Sequence, residues 1–163
     1  WSAEVITMRT VSSPQVVGGL VFGTTGSGAG GNYVVAVKPG PQPAVAYEIK
    51  EQAPYVPTLL ARGNLMFLWA DKSGVVTCID ATSGNKIWQQ RVGGAYSGSP
   101  VRAGDKMFCV DDTGTVVCLA AGPEFKELGR TPLDEMCRST PAIAGGRMYV
   151  RTISHLYSVG GKQ

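Results

Sequence analysis

His155 is the only histidine in the 163-residue chain, so any chemistry that needs an imidazole must be built on it. Ser154 adjoins it, and Asp111 and Asp112 supply carboxylates. Nothing in their spacing marks a nucleophile–base–acid set, which is defined by mutual geometry. Arg138 and Arg151 are better companions. All three fall in or just before the last repeat, which can bring them together, and a polar ligand is to be sought there first. Arg138, Arg151 and His155 are therefore the candidate ligand-binding residues, with a surface or channel-rim histidine as the plain alternative. No catalytic residue and no metal ligand is assigned. The cysteines at 78, 109, 118 and 137 form no Cys-x-x-Cys, and a single histidine does not complete a zinc site of ordinary spacing. Cys109 and Cys118 stand symmetrically about a Thr113-Gly114 turn, which lets them face each other across a hairpin. Free buried thiols are the expectation there, and a disulfide is the alternative.

Gly26-Ser-Gly28-Ala-Gly-Gly31 fits the Gly-x-Gly-x-x-Gly pattern of phosphate cradles. That chemistry needs a helix to follow, so that its N-terminus faces the phosphate. Asn32-Tyr-Val-Val-Ala-Val follows instead, which is strand by composition. The stretch is read as a long hairpin loop. The net charge of +3 is spread along the chain without a Lys/Arg cluster, which argues against nucleic acid. No apolar run approaches the roughly 20 residues of a membrane helix.

The elements that must position these residues form a repeat. Pro14, Pro57, Pro100 and Pro141 recur every 41 to 43 residues. Each leads into a short strand, a Gly-containing turn, an apolar strand, a second turn and a third strand. Ala36, Cys78, Cys118 and Ser158 fall at one repeat position, and all four are small, as close packing of neighbouring repeats would require. With 22 Gly and 10 Pro, the chain reads as all-β, with four-stranded antiparallel blades of a propeller. The repeats lie near 14–56, 57–99, 100–140 and 141–163. Outer strands are expected at Ala46-Tyr-Glu-Ile, Lys86-Ile-Trp-Gln-Gln and Phe125-Lys-Glu-Leu, and the last repeat has none. Residues 1–9, with Trp1 placed before Pro14 much as Trp88 stands before Pro100, read as an outer strand without a blade. They would complete the last blade, complete it in a neighbouring chain, or belong to a preceding blade. Four blades closing on themselves and two chains forming an eight-bladed ring both satisfy the pattern.

Asp80, Gly84 and Trp88 mark the turn after the third strand of the second repeat. Asp80 can bond turn amides, Gly84 can take a positive φ, and period-two alternation puts Lys86 and Trp88 on one face. The stretch resembles the docking motif Ala-x-Asp-x-x-Thr-Gly-Lys-x-x-Trp of the pyrroloquinoline quinone (PQQ)-like propeller family. Asp80, Gly84 and Trp88 match outright. Cys78, Ser83 and Asn85 stand for its Ala, Thr and Lys. The ending Ser154-His-Leu-Tyr-Ser-Val-Gly-Gly-Lys resembles the C-terminus of bacterial members, which implies the C-terminal half of a longer propeller. The resemblance implies a periplasmic or secreted protein and a structural role for the motif. Quinone-dependent dehydrogenases of the family use calcium and often an adjacent cysteine pair, for which this chain has no matching positions, so no cofactor is assigned. The leading expectation is a non-catalytic scaffold binding a protein or a small polar ligand, and a homodimer completing the ring is open. A fragment of a PQQ-dependent dehydrogenase with calcium, or a glycan-binding sensor propeller, is the alternative.

Overall fold

The computed structural model describes residues 1–27 and 29–160. The second glycine of the Gly-rich pattern, Gly28, and the ending at 161–163 lie outside them. Among the described residues fifteen strands form four antiparallel sheets, one to each repeat. The first blade is β1 (Gln15–Val17), β2 (Leu20–Thr25), β3 (Tyr33–Lys38) and β4 (Ala44–Ile49). The second is β5 (Leu60–Arg62), β6 (Leu65–Trp69), β7 (Val75–Asp80) and β8 (Lys86–Arg91). The third is β9 (Val101–Ala103), β10 (Lys106–Val110), β11 (Thr115–Ala120) and β12 (Glu127–Pro132). The fourth holds, among the described residues, β13 (Ala142–Ala144), β14 (Arg147–Arg151) and β15 (Leu156–Gly160). The innermost strands abut, β1 with β5 and β9 with β13. Among the described residues no helix is long and apolar enough to cross a membrane.

The cores lie between blades. Phe22, Val34 and Ala36 on the trailing face of the first blade pack against Met66, Leu68 and Ile79 on the leading face of the second. Phe67, Val76 and Cys78 meet Met107, Cys109, Val117 and Leu119 at the next junction. Val110 and Val116 meet Val150 at the third. Alternation along β2, β3, β6, β7, β10 and β11 thus buries both faces, which explains why these strands are near-continuous apolar runs. Fully burying each such side chain is worth about 1.5–3 kcal/mol.

Cysteine register settles one expectation. Cys109 pairs with Val117, and Cys118 pairs with Phe108. The pairing register is one residue off what a cross-hairpin bridge requires, and a one-residue offset puts the thiols on opposite faces of the sheet. All four cysteines are free. Burial pushes the Cys78 thiol up to about 12, so it packs as a small apolar group.

Three other expectations are corrected. Residues 1–9 form no strand; apart from a single bridge between Arg9 and Gly26, they lie over the leading face of the first blade. There Ala3, Val5 and Met8 cover Tyr33, Val35 and Val37, and the Tyr33 hydroxyl donates to the Val5 carbonyl at 2.9 Å. The segment satisfies exposed apolar surface where it is, rather than the open edge of β15. The third outer strand begins at Glu127, because Phe125 is taken up as a packing partner of Trp88. Lys86 and Trp88 part company at a bulge. Trp88 stands opposite Cys78 and Lys86 opposite Ile79, with Ile87 as the extra residue. Lys86 therefore reaches Glu51 of the first blade at 3.3 Å, while Trp88 turns toward the third.

Two buried aromatics separate packing from hydrogen bonding. Tyr96 and Trp69 meet edge to face at 5.0 Å, and neither the Tyr96 hydroxyl nor the Trp69 indole N–H has a partner among the described residues. The Trp88 indole N–H donates to the Gly122 carbonyl at 3.1 Å. Tyr96→Phe is expected to change stability by less than about 0.5 kcal/mol, whereas Trp88→Phe costs about 1–2 kcal/mol. Urea unfolding of both variants checks this, and equal losses would contradict it.

Candidate functional site

The docking turn is built by Asp80. Its Oδ1 accepts the backbone N–H groups of Thr82 and Ser83, each at 2.9 Å, and the hydroxyl of Thr82 at 2.5 Å. These bonds, the Thr82 hydroxyl foremost, hold its carboxyl below the ordinary range. Gly84 closes the turn at φ +76°, and a Cβ there would lie 2.7 Å from the Tyr47 ring. Tyr47 belongs to the preceding blade, and its hydroxyl donates to the Ala81 carbonyl at 2.5 Å. Tyr47 pairs with Ala36 as Trp88 pairs with Cys78, so both outer-strand aromatics tie a blade to the main chain of the next. The sequence marked Trp88 and not Tyr47. The signal was available: Tyr47 stands opposite the same small-residue column. In the third blade Gly129 holds this place, and the tie is absent.

The fourth blade brings together two of the three candidate ligand residues. Arg138 and Arg151 line a cavity of about 260 Å³ with Met136, Thr152 and Ile153. Both arginines are exposed. His155 is not part of that cavity. Its Nδ1 lies 3.0 Å from Glu135 Oε2 and 2.9 Å from Ser154 Oγ. Ser154 Oγ donates to the other Glu135 oxygen. This Ser–His–Glu group is not a hydrolytic set. Both contacts fall on one ring nitrogen, and the hydroxyl is turned to the carboxylate rather than to a free imidazole base.

Comparison with the third blade explains the group. There Asp111 Oδ1 accepts from the N–H groups of Thr113 at 3.0 Å and Thr115 at 2.8 Å, and from the Thr113 hydroxyl at 2.7 Å. In the fourth blade Thr152 replaces that aspartate. Glu135, from the preceding connection, supplies the missing carboxylate: it accepts the Ser154 N–H at 3.0 Å and the hydroxyls of Ser154 and Thr152. Sequence reasoning missed Glu135 because the carboxylate arrives from outside the turn. Asp112 likewise serves the backbone, accepting the Ser97 N–H at 2.9 Å. No group of three or more His, Cys, Asp or Glu side chains able to hold a metal occurs among the described residues.

Hydrogen bonds from Ser154 first, then Thr152, hold the Glu135 carboxyl down to about 2. A carboxyl depressed on folding stabilises the protein above its unfolded value, near 4.3, and that contribution is lost as pH falls toward about 2. Glu135→Gln is expected to lower the melting temperature at neutral pH and to flatten its dependence between pH 5 and 2. Scanning calorimetry over that window checks this, and an unchanged acid dependence would contradict it.

A family model described as outer membrane protein assembly factor BamB matches residues 72–161, more than half of the chain. Among solved structures, BamB from Moraxella catarrhalis is similar over 93% of this chain and 46% of its own, with a TM-score of 0.73 and 16% identity. The quinohemoprotein alcohol dehydrogenase ADHIIG from Pseudomonas putida HK5 matches 88% of this chain and 28% of its own, at TM-score 0.68 and 13% identity. A europium-containing methanol dehydrogenase matches 77% and 25%, at TM-score 0.62 and 15% identity. The chain thus spans less than half the length of each of these structures. No curated protein sequence matches it.

Proposed function

The chain belongs to the family described as outer membrane protein assembly factor BamB, and from that premise we propose that it is a non-catalytic propeller scaffold binding a protein partner outside the cytoplasm. One observation carries the reading. Val34, Val76 and Val116 hold equivalent places in the first three blades and are buried under the blade that follows. Leu156 holds that place in the fourth blade and is 74% exposed. Tyr149 and Ser158, paired across β14 and β15, repeat the aromatic–small pairing that the first two blades bury as Phe22–Ala36 and Phe67–Cys78 and the third half-buries as Phe108–Cys118. The fourth blade therefore offers a face whose pattern fits another blade. In the isolated chain, a second copy is the available occupant and would extend the arc toward a full ring. Light scattering over a concentration series is expected to show mass rising toward twice that of the chain, with Leu156→Glu abolishing the rise. A monomer throughout, unaffected by the substitution, would remove this face from the reading.

The residues do not fit the quinone of the dehydrogenase relatives. The chain has no adjacent cysteine pair, and Cys78 and Cys109 are enclosed in interblade packing. The carboxylates of Asp80, Asp111, Asp112 and Glu135 are engaged by turn N–H groups. Titration with pyrroloquinoline quinone and calcium is expected to leave the quinone absorbance unchanged. A saturable spectral shift would favour the dehydrogenase-fragment alternative.

A further inference from the structure

A relay of hydrogen bonds runs along the inner ends of the four blades. Ser13, Thr58, Ser99 and Thr140 each stand two residues before an innermost strand. The Ser13 N–H donates to the Thr58 hydroxyl at 3.1 Å, and the Thr58 N–H to the Ser99 hydroxyl at 2.9 Å. The Ser99 N–H donates to the Thr140 hydroxyl at 2.9 Å. Every junction thus joins a backbone donor of one blade to a side-chain oxygen of the next. Among the described residues the Thr140 N–H has no acceptor and the Ser13 hydroxyl no partner, and both residues are exposed. One end of the arc offers the donor of this relay and the other end its acceptor.

The packing faces at the two ends are complementary in the same sense. On the leading faces of the second and third blades, Met66 with Leu68 and Met107 with Cys109 are fully buried under the preceding blade. Val21 and Gly23 hold those places in the first blade, by the pairing of its second and third strands. There residues 1–9 stand where a preceding blade would pack, and they fill the space incompletely. Val21, Gly23, Val35 and Val37 line an apolar groove of about 200 Å³ together with Trp1 and Ile6. That volume is below the usual size of a ligand pocket and suits the side chains of a docking face. Val21 stays half-buried, and Trp1 is largely exposed.

The hold on this segment is narrow. The Arg9 carbonyl accepts the Gly26 N–H and the Thr25 hydroxyl, each at 3.0 Å, which pins the segment at residue 9. Before that point the hydrogen bonds converge on one group. The Tyr33 hydroxyl donates to the Val5 carbonyl and accepts from the Thr7 N–H and hydroxyl, each at 3.1 Å. We propose that the leading face of the first blade receives the fourth-blade face of a second copy, head to tail. Thr140 of one copy donates to Ser13 of the other, and residues 1–8 are a strap that lifts from the receiving face to admit it. The inference rests on the scaffold reading of the fourth-blade face and adds its receiving surface, its polarity and its control. Each copy carries one docking end and one receiving end, so two junctions close a ring of eight blades.

Complementation between two variants of the whole chain tests the polarity by light scattering. Leu156→Glu disables the docking end and Val21→Glu the receiving end, with circular dichroism to check that each is folded. Each variant alone is expected to be monomeric, and their equimolar mixture to regain twice the mass of the chain through one intact junction. Ser13→Ala, a change at an exposed hydroxyl, probes the receiving end without disturbing the fold and is expected to weaken self-association about threefold. Tyr33→Phe removes the three strap bonds and keeps the ring, so it is expected to tighten self-association about five- to tenfold. Self-association that Leu156→Glu abolishes but Val21→Glu and Ser13→Ala leave intact would overturn the head-to-tail junction and spare the fourth-blade face. Unchanged affinity in Tyr33→Phe would overturn the strap. Monomers throughout, Tyr33→Phe included, would remove the fourth-blade face and this inference together.

Discussion

The structure depends on a small side chain held between two larger ones. Ala36 lies between Phe22 on β2 and Tyr47 on β4, and Cys78 between Phe67 on β6 and Trp88 on β8. A larger residue in the middle would push the outer aromatic away from the next blade. With a small one, the Tyr47 hydroxyl and the Trp88 indole reach main-chain carbonyls across the junction. Neighbouring sheets share no strand ladder, so side-chain packing and such side-chain-to-backbone bonds hold them together.

The bulge completes this arrangement. In the first three blades the register of the outer strand shifts immediately after the small residue, leaving Ala46, Ile87 and Leu128 as the extra residues. A bulge bends a strand and re-aims its side chains. Here it separates the leading-face role of Lys86, paired with Glu51, from the trailing-face role of Trp88. The recurrence of the bulge makes it part of the blade design. Arg62 and Arg130 add further ties, donating to the Ala121 and Val92 carbonyls of adjacent blades.

The fourth blade shows how the same architecture is maintained with different residues. Asp111 caps its own turn in the third blade, and Glu135 does the same work from a neighbouring connection in the fourth. His155 joins that carboxylate, which separates it from the two arginines that seemed its natural companions. A Ser–His–Glu cluster with the composition of a catalytic group is accounted for by the donors of a β-turn.

The sequence by itself determined the repeat, the all-β blades, the Asp80–Gly84–Trp88 turn and the small-residue column, because each is a local pattern of period two or of about 42 residues. It placed the three strands of the fourth repeat. Only the tertiary structure decided the rest. It parted Lys86 from Trp88, because a bulge breaks the alternation on which facing was inferred. It set the cysteines on opposite faces, because pairing register is fixed by the turn and the core rather than by sequence symmetry. It laid residues 1–9 over the first blade, because the apolar face of Tyr33, Val35 and Val37 offered them burial. It supplied Glu135 to a distant turn. Those outcomes rest on contacts between segments far apart in the chain, and periodicity carries no information about them.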